Sequence, residues 1–402
     1  MASEVTEQYE GAPSGISTRE RQLNPHPWFA EMREEHPVRW DPERETWDVF
    51  TYDAVTDVLR NHEVFSSETE IESDAVDTAA REFLQGILFN VDPPEHTRQR
   101  ELLQDFFRRD NIWELQPEGE AIADDLLDDV EDDGHMDLVE DFSQPMTNRM
   151  IATMLGIPRE DHDKFDEWGH VIYQVVNGQE NLKQPTAKIG QEMVTYMTDL
   201  IAERREDPGD GLVSMLANAE MDGEPVGDMQ IIQFCMLMMV GGTTTAITSN
   251  VVRSLAEKPH LFDELADDPG RLQDAIEEGA RYETTSAGVS RVATQDFEFR
   301  GHQIEEGDFV VPWLMSANRD AEVFEDPHEF KPDRKPNPHL AFGYGIHACL
   351  GNSLGRLETF VALKRLLQRF EFVEVHDDDL TPVGNPFRHN VRELPITFEV
   401  AE

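Results

Sequence analysis

From Leu115 to about Leu380 almost every segment repeats its apolar residues at the spacing of one helix face, with breaks at Gly134, Pro158, Asn177-Gly178, Asp207-Pro208-Gly209-Asp210-Gly211 and Asp222-Gly223. A chain so patterned folds as packed helices. Further helices are expected from Asn24-Pro25-His26-Pro27-Trp28-Phe29 onward, over Tyr52 to Asn61, and behind Asp92-Pro93-Pro94-Glu95-His96, where an acidic cap and two prolines form a start signal. Alternating runs at Pro37 to Trp40 and Thr46 to Phe50 predict two strands with a turn between them. Phe297 to Ile304 and Gly307 to Val311 read as strands too, and Phe387 to Val400 as a loop with a strand pair. Ser66 to Ala80 is acidic and weakly periodic, a loop. The expected fold class is mainly α with a small β region (about 37–51, 291–312 and 380–400), in one domain over 24–402 behind a loosely packed tail, 1–23.

Charge narrows the partners. The 34 Lys and Arg face 83 Asp and Glu, a formal net charge of −49 that argues against nucleic acid and anionic membrane surfaces, both of which need a cationic footprint. At low salt such a surface repels itself; at molar salt the Debye length falls to roughly 3 Å and the repulsion fades. The acid excess therefore reads as adaptation to a very salty, halophilic cytoplasm. With no run of eighteen apolar residues and a polar, acidic start from Met1 to Gln22, neither a membrane span nor a secretory signal is expected. Two cysteines, Cys235 and Cys349, are too few for a disulfide scaffold or a Cys-rich metal site. Cys235, in an apolar helix, reads as core.

Cys349 differs. In Phe342-Gly343-Tyr344-Gly345-Ile346-His347-Ala348-Cys349-Leu350-Gly351 glycines flank it and a helical segment follows from Asn352 to Phe370. Glycine lets backbone approach a flat ligand, and a helix start favours a thiolate, a good ligand for a metal. The plain alternative is a Gly-rich turn around an inert thiol.

These ten residues resemble the signature loop of the cytochrome P-450 family, F-x-x-G-x-[HR]-x-C-x-G, matched at Phe342, Gly345, His347, Cys349 and Gly351. The resemblance runs from about Asn24 to Glu399 and is to the soluble prokaryotic type. It implies haem b with Cys349 as the axial iron ligand, whose thiolate pushes electron density toward O–O cleavage. Phe342, Gly343, Gly345 and Gly351 would line the cofactor, and His347, His96, Arg100 and Arg291 would meet its propionates. Glu278 and Arg281, three apart on a helix, would alone be a surface pair worth under about 1 kcal/mol. By resemblance they join Arg334, from Pro332-Asp333-Arg334, in a buried charge network.

One family motif is altered. The oxygen-activating helix of the family carries an acid followed by an alcohol, but here Gly241-Gly242-Thr243-Thr244-Thr245 offers only alcohols. Two registers are open, with Thr243 or Thr245 as the alcohol, and neither supplies a carboxylate. The resemblance further implies a cytoplasmic monooxygenase, a monomer, acting on a hydrophobic small molecule. Electrons would come from a ferredoxin or flavodoxin with its reductase, NAD(P)H serving indirectly, and Arg108, Arg109 and Arg356 are candidate docking cations. The implied substrate pocket uses Phe83, Leu84, Ile87, Leu88, Val240, Gly241, Val289 and Phe387. A peroxide-using peroxygenase, a haem-thiolate isomerase and a non-enzymatic haem sensor are the alternatives.

Overall fold

The computed structural model describes residues 11–69, 86–179, 182–242, 244–258, 260–376 and 380–401. Helices dominate, as the periodicity predicts. The most apolar segment forms the helices Asp228–Gly241 and Thr244–Ala256, with Gly242 closing the first. By length and composition 228–256 is the one stretch among the described residues that could cross a membrane, but most of it is buried by the rest of the fold, as a core helix is. Asn352–Arg369 packs against Thr244–Ala256, Gln116–Asp128 and Leu272–Tyr282.

The β portion is split. One sheet has the order Val38–Asp41, Thr46–Val49, Phe309–Pro312, Arg291–Ala293, Phe65–Ser66. Trp40 and Trp47 face each other across its first pair, ring centroids 5.4 Å apart. Three expectations are corrected. The run Phe297 to Ile304 is a hairpin, because Arg300 and Gly301 both take positive φ (51° and 84°) in a two-residue turn. The C-terminus carries a single strand, Pro395–Val400, whose partners are Phe370–Val375 and His135–Asp137, inside the region read as helical. Phe370-Glu371-Phe372-Val373-Glu374-Val375 is rich in aromatic and β-branched residues, and that local preference ends the helix. Finally, part of the supposed tail is packed: Arg19–Leu23 is helical and Ile16 and Gln22 are buried, Ile16 in a cluster with Phe29, Phe50 and Trp313. Residues 1–10 lie outside the described residues.

Candidate functional site

The loop before Asn352–Arg369 is built on two glycines. Gly343 and Gly345 both have φ of 74°, and a Cβ on Gly345 would come within 2.4 Å of the Leu59 carbonyl oxygen. Gly345 thus seats the loop on the helix Tyr52–Arg60, and it is not on the wall of the cavity described below. The Cys349 N–H donates to the Phe342 carbonyl at 2.7 Å, closing the loop and turning the thiol to the cavity. Burial pushes this thiol up; the Gly351 N–H, Arg100, Arg356 and Arg388 favour the thiolate but do not outweigh it. The helix start alone therefore does not ionise Cys349. A coordinated metal ion would.

Cys349 opens on a cavity of about 350 Å³. Gly241, Gly242, Gly343, Gly351 and Gly355 leave flat patches of its wall, and Leu88, Phe89, Leu237, Val240, Ile247, Val289 and Leu314 make it apolar. Of the expected substrate residues, Leu88, Val240, Gly241 and Val289 are on this wall. Ile87 instead packs into the main core, and Phe387 stacks on Trp313 at 5.8 Å, each drawn off by an apolar neighbour. Phe83 and Leu84 lie outside the described residues. Cys235 is buried in the core, its thiol pushed up to about 12 by burial.

Histidine and arginine side chains gather at one edge. His96, Arg100 and His347 line the cavity, and the two imidazole rings are 4.3 Å apart. The Arg100 guanidinium donates to the Ala348 carbonyl at 2.8 Å. Arg291 is buried and is not on the wall itself, but its charge bears on His347. Burial, Arg291 and His96 drive the His347 pKa down to about 3, with only Asp92 opposing, its oxygen 3.7 Å from Nε2. His96 Nε2 and His347 Nε2 are buried without hydrogen-bond partners. Such a cluster is built for an anion.

Of the described threonines in the 241–245 segment, Thr244 is the one on the cavity wall. The Thr245 hydroxyl turns toward the Ser143 carbonyl and the Thr147 hydroxyl, both at 3.4 Å, and Thr243 is outside the described residues. The sequence reading missed Glu358, which lies on the same wall, fully buried, with the Thr147 and Thr244 hydroxyls beside it. Neither of its carboxyl oxygens has a well-formed hydrogen bond. Burial raises its pKa to about 8, so it keeps its proton at neutral pH. The available signal was an acid at an apolar-stripe position, four after Leu354 and three before Val361.

Glu278, Arg281 and Arg334 do meet, fully or nearly buried. Arg281 binds both Glu278 oxygens at 2.8 Å, and Arg334 Nε reaches them at 3.0 Å. Arg356 is not a free docking cation: Glu277 pairs with it and its guanidinium sits 4.1 Å from the Phe342 ring centroid. Arg108 and Arg109 are exposed. His26, Glu283 and His389 bring ligand-type atoms within 4.8 Å, but Arg319 also donates to Glu283, at 2.9 Å. That cation makes the group a hydrogen-bond knot rather than a metal centre.

A thiol facing a glycine-walled slot, with orphaned donors at one edge and apolar side chains around the rest, fits an iron porphyrin with two carboxylate arms. The fold and site define a haem-thiolate protein. A family profile for cytochrome P450 matches residues 16–268 and 271–397, and the chain belongs to that family. Its fold is similar to that of substrate-free CYP109E1 from Bacillus megaterium, with a TM-score of 0.87 and 36% identity, covering 94% of this chain and 100% of that one. Cytochrome P450 109 of Bacillus spizizenii is 35% identical over 397 residues, 96% of this chain and 95% of its own length. The erythromycin C-12 hydroxylase of Saccharopolyspora erythraea is 34% identical over 360 residues, 88% of each. The chain is an oxidoreductase of the P450 monooxygenase type that takes a small-molecule substrate.

Proposed function

We propose that this P450 inserts one atom of O2 into a hydrophobic small molecule, the other atom leaving as water with two protons and two electrons. The electrons pass singly from NAD(P)H through a reductase and a separate ferredoxin or flavodoxin to a monomeric enzyme in a salty cytoplasm. Haem b, when bound, supplies the redox iron. Cys349 Sγ would hold that iron, with the loop bond to Phe342 holding the cysteine in place. His96, Arg100, Arg291 and His347 would hold the propionates, which give the orphaned imidazole nitrogens their missing partners.

The apolar wall from Leu237 to Val240 and at Val289 would orient the substrate and exclude water. Thr244 presents a hydroxyl in the same chamber, and Glu358 keeps a proton beside it. That pair takes the place of the acid missing from the 241–245 segment. Proton delivery of this kind is worth about 10²–10⁴-fold.

The observation that carries the reading is the Cys349 thiol on a large, mainly apolar, glycine-walled cavity. The test is the carbon monoxide spectrum of the reduced protein at molar salt, wild type against Cys349→Ser. A red-shifted thiolate-type Soret band that the substitution abolishes is expected. A protein that takes up no hemin, or one whose band survives the loss of the sulfur, overturns the assignment.

A further inference from the structure

So far Arg388 has entered only through the effect of its charge on the Cys349 thiol. It lines the main cavity, and it also lines a smaller polar chamber of about 20 Å³ that adjoins it, together with Gln144, Asn148, Tyr173, Asn177 and Asn390. Among the described residues no carboxylate forms an ion pair with it. Among the described residues its one side-chain hydrogen bond runs from Nη1 to the Ser286 hydroxyl at 3.1 Å. Arg388 is part-buried against the cavity, and burial lowers its pKa. Burial without a counter-charge is costly, because a guanidinium does not give up its proton at neutral pH.

The fold fixes the backbone at this residue in place, and with it the point from which the side chain projects. Ser286 and Arg388 form an antiparallel bridge. The His389 N–H donates to the Thr285 carbonyl at 2.8 Å and the Ala287 N–H to the Phe387 carbonyl at 2.9 Å. The Asn250 amide donates to the His389 carbonyl at 2.8 Å, and His389 Nε2 is 2.7 Å from Glu283. A cation projecting from backbone held this firmly is organised in advance for a ligand. The side chamber repeats the signal: Gln144 is 4% exposed and its Nε2 donor has no partner. The chamber is sized for a water or one small polar group. Asn390 Oδ1, an unpaired acceptor on the same wall, can take a bridging water.

We propose that the substrate of this P450 is an apolar molecule ending in a carboxylate, and that Arg388 anchors that carboxylate while the apolar remainder lies over the haem site. This rests on the monooxygenase reading and adds the substrate class to it. Guanidinium and carboxylate match in geometry, two N–H groups to two oxygens. The overall charge of −49 disfavours an anion entering at low salt, and molar salt removes that barrier.

The test is calorimetric titration of the haem-loaded protein at molar salt with two acids of different shape, dodecanoate and abietate, each against its methyl ester. In the wild type at least one acid should bind about tenfold to a hundredfold more tightly than its ester, the value of a charge-assisted hydrogen bond. Arg388→Gln should abolish that preference and Arg388→Lys should retain part of it. Acids that bind no better than their esters in the wild type overturn the proposal without any variant. So does a preference that survives in Arg388→Gln. The carbon monoxide band of the same samples separates the two readings: a thiolate-type band with no acid preference removes only the anchor, whereas a missing band removes the haem-thiolate assignment.

Discussion

Replacing Arg281 by lysine keeps the charge and removes the fork. Arg281 donates five hydrogen bonds: two to Glu278 and one each to the carbonyls of Asn318, Pro327 and Glu329. All five lie in a region where Glu278 and Arg281 side chains are 0% exposed. Lysine has three donors on one nitrogen, so at least two of the five hydrogen bonds are lost, while Glu278 and the Glu329 carbonyl keep Arg334 as a donor. Each lost hydrogen bond costs about 0.5–1.5 kcal/mol, which sums to about 1–3 kcal/mol. That is a measurable share of a typical folding stability of about 5–15 kcal/mol. The assay is urea unfolding followed by far-UV circular dichroism at molar salt. The control is Arg159→Lys, since Arg159 is 73% exposed and pairs only with Asp125; it should shift stability by less than about 0.5 kcal/mol. An Arg281→Lys protein destabilised no more than the control would refute the claim that the fork, rather than the charge, holds this network.

Glu358→Gln tests the buried acid. Its folded pKa of about 8 lies above the ordinary 4.5, so its contribution to stability is present below pH 4.5 and is lost as pH rises through about 8. The stability of wild type relative to Glu358→Gln should fall by up to about 1.4 kcal/mol per pH unit across that window; parallel pH profiles would sink the assignment. His26 works in the opposite sense. Burial holds its pKa at about 4 against 6.5, so its contribution is present above 6.5 and lost as pH falls toward 4, which is why the variant comparison rather than the raw profile is decisive. Melting temperature should also rise markedly from low to molar salt, given 83 acids against 34 bases; a flat response would refute the halophilic reading and leave the chemistry untouched.

Local information was enough for the helices, for the strands Val38–Asp41 and Thr46–Val49, and for the loop around Cys349, because periodicity, turn residues and a glycine-flanked thiol each act within a few residues. The same local rules failed where two tendencies competed over a short span. Phe370 follows a long helical run and opens a β-prone one, and its pairing with Val400 decides between the two. Arg300-Gly301 splits one apparent strand into two. Ile16 looked like tail because its partners Phe50 and Trp313 are distant in the chain.

The amino-acid sequence by itself determined the family, the mainly helical class and the sulfur at the centre of the site. Only the tertiary structure decided that Thr244 faces the cavity, that Glu358 beside it keeps its proton, that Gly345 seats the loop, and that Arg388 lines the cavity with no carboxylate partner among the described residues. The physical reason is that residue type and spacing are properties of the chain, whereas desolvation and the distance between charges arise only when remote segments are packed against one another.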